Sequence, residues 1–245
     1  MPRAVKKKFT ISISGIVIGV LVVALVISSF MLGVLYTKVT YLEKGGAAVQ
    51  YPNQIPEKPQ DLTVDETNVE PISDNDHVLG SKNAEIALIE YADLECPYCK
   101  SFHDNAKQLI EKNQNVVWVF RHFPLRSIHP TAQSLAMATE CAYKLGGNEA
   151  FWNMTDKIFE NQPGLKVEDA VSYAGELGLD ATQLQNCLDN KDTEDAVNAD
   201  YQSGVKAGIS GTPGNILFNL KTKKGIIVPG AVPVETLEQS LTSIK

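Results

Sequence analysis

Apolar residues follow three different rhythms along this chain. From Phe9 to Thr37 no charged residue occurs, and positions 16–27 are almost continuously aliphatic. That run exceeds the ~20 residues needed to cross a bilayer, and it exceeds the ~7–15 of a signal-peptide core. From 37 to 76 the periodicity stops. Gly45, Gly46, Pro52, Pro56, Pro59 and Pro71 punctuate a polar stretch that predicts a flexible tether. Beyond 77 the pattern becomes that of a folded α/β domain. Ile86–Tyr91 and Val116–Phe120 are short runs apolar on both faces, as in central strands. Between them Phe102, Ala106, Leu109 and Ile110 recur at helical spacing, predicting a helix over 96–112 and a parallel strand–helix–strand unit. Helical patterns then run over 131–145, 149–160, 167–177, 181–189 and 193–207, with Asp180 and Gln183 forming a capping box. A hairpin is predicted from 215–219 and 225–228, and a closing helix over 234–244.

The first chemistry this pattern exposes is Cys96-Pro97-Tyr98-Cys99, set where the first strand turns into the helix. Cys96 falls at the N-cap and Pro97 at the first helical position, where its fixed φ fits. Unpaired backbone N–H groups and the positive end of the helix dipole favour a thiolate there. Two intervening residues let the sulfurs close a small, reducible disulfide. Zinc binding is the alternative. It needs two further ligands, and no second C-x-x-C or H-x3–5-H is present. His103, four residues after Cys99, offers a third ligand with no evident fourth, so no metal is expected.

Charge sharpens the picture. Arg3, Lys6, Lys7 and Lys8 precede the apolar run, which predicts a cytoplasmic N-terminus and export of everything after Tyr36. An uncleaved signal anchor over 1–36 is expected, with cleavage near Ser28-Ser29 as the alternative. The exported part then carries 18 basic against 29 acidic residues, a net charge of −11. That excess argues against nucleic acid as a partner and against docking on an anionic membrane surface, leaving the anchor as the membrane contact. Outside the cytoplasm, cysteines are usually oxidised. Cys141 shares an apolar helical face with Met137 and Leu145, and Cys187 with Leu184 and Leu188. A structural disulfide between them is expected, against two free buried cysteines.

Taken in order, Asp76–Gly80, Tyr91–Cys99, Arg121–Leu125, Glu140–Ala142, Phe151-Trp152 and Gly211–Pro213 resemble the DsbA-like branch of the thioredoxin superfamily. The resemblance covers about 76 to 245. It implies an α/β thioredoxin fold in residues 77–245, with a helical subdomain inserted at about 129–208. It further implies an extracytoplasmic thiol–disulfide oxidoreductase with Cys96 as nucleophile, Cys99 as resolving partner and no cofactor. Pro213 matches the cis-proline facing the disulfide, and Thr212 the residue whose backbone pairs with substrate. Glu90 takes the position of a buried acid that relays a proton to Cys99, its alternative being a solvent-facing strand carboxylate. Gly214 departs from the family, where a larger residue is common. His103, His122 and His129 are expected at surface or loop positions, with tuning of Cys99 by His103 as the alternative. Cysteine-containing exported proteins and a membrane redox protein that reoxidises the pair are the implied partners. The reverse direction, reduction or isomerisation, and a binding or chaperone module with a structural disulfide are the rival functions.

Overall fold

The computed structural model describes residues 63–244 apart from Lys82, together with 24–25, 27–29 and 31–33 near the N-terminus. The chain divides into two compact units, Met1–Lys58 and Pro59–Lys245. In the first, the described residues are helical and exposed. Most of the expected anchor lies outside the described residues. Among the described residues no helix is long and apolar enough to cross a membrane.

The second unit is built on a five-stranded sheet. In chain order the strands are β1 (His77–Gly80), β2 (Ile86–Ala92), β3 (Val116–His122), β4 (Gly214–Asn219) and β5 (Gly225–Pro229). Across the sheet the order is β1-β3-β2-β4-β5. Only β2 and β3 run parallel. They are joined by α1 (Pro97–Lys112), as the apolar runs predict. Four further helices, α2 (Ala132–Glu160), α3 (Val167–Glu176), α4 (Ala181–Asp189) and α5 (Glu194–Lys206), separate β3 from β4, and α6 (Val234–Leu241) closes the chain. This is a thioredoxin fold with a helical insertion.

The alternation of β2 assigns its side chains to two cores. Ile86, Leu88 and Ala92 join Trp118 and Phe120 beneath Phe102, Ala106 and Leu109 of α1. Ala87, Ile89 and Tyr91 join Val117, Val119 and Ile216 on the opposite face. Successive residues point to opposite faces and residues two apart share one, so Glu90, between Leu88 and Ala92, lies on the α1 side. The two predicted helices over 131–160 are the halves of α2. They meet at Gly147, whose φ of 72° and ψ of −163° interrupt the helix. A glycine tolerates that conformation without penalty.

Two stretches differ from expectation. β1 is a short antiparallel edge strand against β3, whose four residues are too few to show alternation. Residues 63–76, expected to belong to the tether, instead pack on the domain. Thr63 bridges Ile226, Val64 N–H donates to the Gly225 carbonyl at 3.0 Å, and Val69 is buried. Arg121 supplies the reason. Its guanidinium is buried on β3 and needs acceptors. It donates to Asp76 at 2.8 Å and to the carbonyls of Glu70 and Pro71 at 3.2 and 3.3 Å.

Candidate active site

The β2–α1 and β3–α2 loops emerge side by side, because Ala92 and His122 are the last register pair of the parallel strands. Phe123 N–H extends the ladder by donating to the Ala92 carbonyl at 2.7 Å. Cys96 caps α1 with extended backbone, φ −74° and ψ 120°, and Pro97 opens the helix. Both sulfurs are free thiols. Cys96 retains 4% of its surface and Cys99 none, which leaves Cys96 as the reachable sulfur.

The two thiols sit in opposite electrostatic surroundings. Hydrogen bonding from the Cys99 thiol outweighs burial at Cys96. Backbone N–H groups of Cys99 and Tyr98 and an interaction with Thr212 add to it, bringing the Cys96 pKa down to about 6. Burial pushes the Cys99 thiol well up, reinforced by Cys96 and by the charge of Glu90. Its sulfur accepts a hydrogen bond from Asp93 N–H at 3.4 Å.

The loop before β4 faces this pair. The Thr212–Pro213 peptide is cis, and the Thr212 carbonyl accepts from Cys96 Sγ at 3.6 Å. Gly214 follows for a steric reason. A Cβ there would lie 2.4 Å from Ile209 Cγ2, closer than real contacts allow, and a tight 3.0 Å from the Gly211 carbonyl.

Glu90 is fully buried, with one oxygen accepting from Trp118 Nε1 at 3.0 Å and the other without a partner. Burial raises its pKa well above the carboxylate range, only partly offset by the Trp118 bond, and the Cys96 charge acts in the same raising direction. The solvent-facing alternative for this residue does not hold. Cys141 and Cys187 are bonded, with an S–S distance of 1.99 Å and Cα atoms 6.0 Å apart, joining α2 to α4. Tyr98, between the cysteines, is half exposed.

His103 and His122 are corrected from surface positions to interior ones. His103 packs among Trp118, Trp152 and Phe159 and contacts Asp156 at 2.6 Å. His122 ends β3 and contacts Glu140 at 3.2 Å, while His77 reaches the same carboxylate oxygen at 2.7 Å. Glu140 is held down to about pKa 2: burial opposes this and is outweighed by the two histidines. Asp200 accepts from His122 N–H at 2.9 Å. His122, Glu140 and Asp200 bring ligand-type atoms within 4.8 Å of one another, but they are engaged in this hydrogen-bonded network that ties α2 and α5 to β3.

Sequence reasoning missed Asp93. Its side chain is completely buried and binds His129 Nδ1 at 2.9 Å, Leu125 N–H at 2.7 Å and Glu95 N–H at 2.8 Å. Its carbonyl accepts from Cys96 N–H at 3.1 Å. An aspartate placed between an apolar strand run and a C-x-x-C is the sequence signal that marks it.

A thioredoxin family model matches residues 73–223. The chain belongs to the thioredoxin family. Among solved structures it is similar to Pseudomonas aeruginosa DsbA2, at 27% identity and a TM-score of 0.59 over 70% of this chain and 95% of that one. Bacillus subtilis BdbD, in its oxidised crystal structure, shares the fold at 22% identity with a TM-score of 0.60, over 71% of this chain and 95% of that one. Within the family its fold is DsbA-like. Among curated sequences it is 36% identical over 140 residues to the Na(+)/H(+) antiporter NhaA 3 of Salinispora tropica. That match takes in 57% of this chain and 21% of the antiporter, so the chain spans about a fifth of the length of this relative.

Proposed function

We propose that this thioredoxin-family protein introduces disulfides into cysteine-containing polypeptides outside the cytoplasm, held to the membrane by its N-terminal segment and reoxidised by a membrane redox protein. The observation that carries the reading is the asymmetry of the two sulfurs: a reachable Cys96 with a pKa near 6 above a sealed Cys99 whose pKa is raised. A thiolate that is stable when reduced is a good leaving group, and it makes the disulfide form oxidising.

In the forward direction a substrate thiolate attacks Cys96 Sγ of the disulfide. The Cys96–Cys99 bond breaks, its electron pair leaves on Cys99 Sγ, and that sulfur takes a proton. Glu90 is the group suited to hold this proton, being buried and of raised pKa. A second substrate thiolate then attacks the substrate sulfur of the mixed disulfide, and Cys96 departs as thiolate. The substrate has lost two electrons and the protein has gained them.

The three large apolar side chains exposed on the described part of this domain are Tyr98, Ile128 and Val205. They belong respectively to the cysteine motif, to the loop bound to Asp93, and to the helix leading into the Thr212 loop. Thr212 backbone supports pairing with an extended segment, a short β-augmentation.

The reduction potential, measured against glutathione buffers on the full chain, tests the proposal. A value toward −120 mV is expected. A value near −270 mV would reassign the protein to reduction, and a disulfide inert to dithiothreitol would reassign it to binding.

A further inference from the structure

We propose that Asp93 and His129 form a built charge pair that holds a protonated imidazole on the residue that anchors Cys96 and so couples the thiolate to a second titrating group. The inference rests on the thiol chemistry proposed above and concerns how this chain adjusts it.

Asp93 is the junction of the site. Its carbonyl holds Cys96 N–H, its N–H holds Cys99 Sγ, and its carboxylate holds the β3–α2 loop through Leu125 N–H and His129 Nδ1. His129 and Cys96 are thus bound to the same residue from opposite ends. A carboxylate with no exposed surface is costly unless its charge is compensated. Its other two partners are neutral backbone N–H groups, which leaves His129 as the cation on it. The imidazole keeps 20% of its side-chain surface, so it exchanges protons with solvent.

Asp93 touches the ring, and the charges of Cys96 and Glu95, from the same β2–α1 loop, also act on it. Glu95 is itself fixed, accepting from Thr131 N–H at 2.7 Å. Arg126, on the histidine's own loop, turns to Gln133 and Asn198 instead. Partial burial works against the cation, but Asp93, helped by Cys96 and Glu95, raises the histidine pKa above its ordinary value. Coupling between two titrating sites is reciprocal, so a thiolate that favours the imidazolium is favoured by it to the same degree. Protonated His129 therefore stabilises reduced Cys96 and weakens as pH rises through the histidine pKa. His129 acts through charge and is not assigned to bond-making.

The test uses the full chain and two readouts. NMR titration of the His129 ring in oxidised and reduced protein should give a higher pKa in the reduced state, where the Cys96 thiolate is present. Identical values in the two states overturn the proposal, with no variant required. His129→Gln should slow alkylation of Cys96 roughly three- to tenfold near pH 5.5, by raising the thiol pKa, and the loss should shrink toward pH 8. An unchanged pH profile in a folded H129Q protein also overturns it. A wild-type Cys96 that neither titrates low nor exchanges with glutathione would instead sink the proposed function itself.

Discussion

At the scale of single residues, the proposed chemistry is divided among two thiols and one acid. Cys96 titrates near pH 6 and Cys99 well above an ordinary thiol, so the two positions are not interchangeable. Cys99→Ala leaves an attacking thiolate without an internal escape and should accumulate mixed disulfides visible as reducible high-mass bands. Cys96→Ala should give none, and equal trapping by both would refute the roles. The depressed Cys96 pKa also sets a pH dependence for the reduced protein. Its stabilisation is complete above the unfolded thiol value near 8.5 and is lost as pH falls through about 6, which urea titrations across that range should register. Glu90 runs the other way. A carboxyl whose folded pKa is raised favours the folded state less as pH climbs through that pKa. Glu90→Gln should therefore remove a loss of stability at high pH, while slowing release of Cys99 by roughly tenfold or more as the proton donor disappears. Equal rates of mixed-disulfide formation in the two proteins would exclude a proton role.

Among elements, what the sequence makes legible is what repeats. β2, α1 and β3 are announced by apolar runs and by Pro97 at the first helical position, and the insert helices by their periodic faces and the Asp180 cap. Other features are set by contacts far along the chain. Residues 63–76 carry the polarity and proline of a tether, and they are ordered by Arg121, some 45 positions beyond Asp76. The Asp93–His129 contact spans 36 positions and lies in loops without periodicity. His122 looks like a loop residue until the third-strand register extends to it and Glu140 arrives from α2. The Cys141–Cys187 bond closes a sequence separation of 46 and fastens α4 to α2. Changing both to Ala should cost roughly 2–5 kcal/mol of stability, read as a lower denaturant midpoint, while exchange activity per folded molecule stays the same. A comparable loss of activity would mean that the insert's internal geometry reaches the thiol site.

For the whole molecule, the question is where a domain of this kind works. Thr63 to Ile244 contains both hydrophobic cores, the thiol pair and the disulfide. What the first 58 residues offer is a basic start followed by 29 uncharged positions from Phe9 to Thr37. Among the described residues there, Leu25, Ile27, Met31 and Leu32 are exposed on a helix, an arrangement that is costly in water and suited to lipid. The expected orientation puts the four basic residues inside and the acidic domain outside. Protease added to cells with an opened wall should therefore remove the domain from the membrane fraction and release a soluble fragment that still exchanges thiols. Full protection from protease would reverse the orientation. A freely secreted form lacking residues 1–36 would turn the anchor into a cleaved signal and leave the thiol chemistry to act by diffusion rather than at the membrane surface.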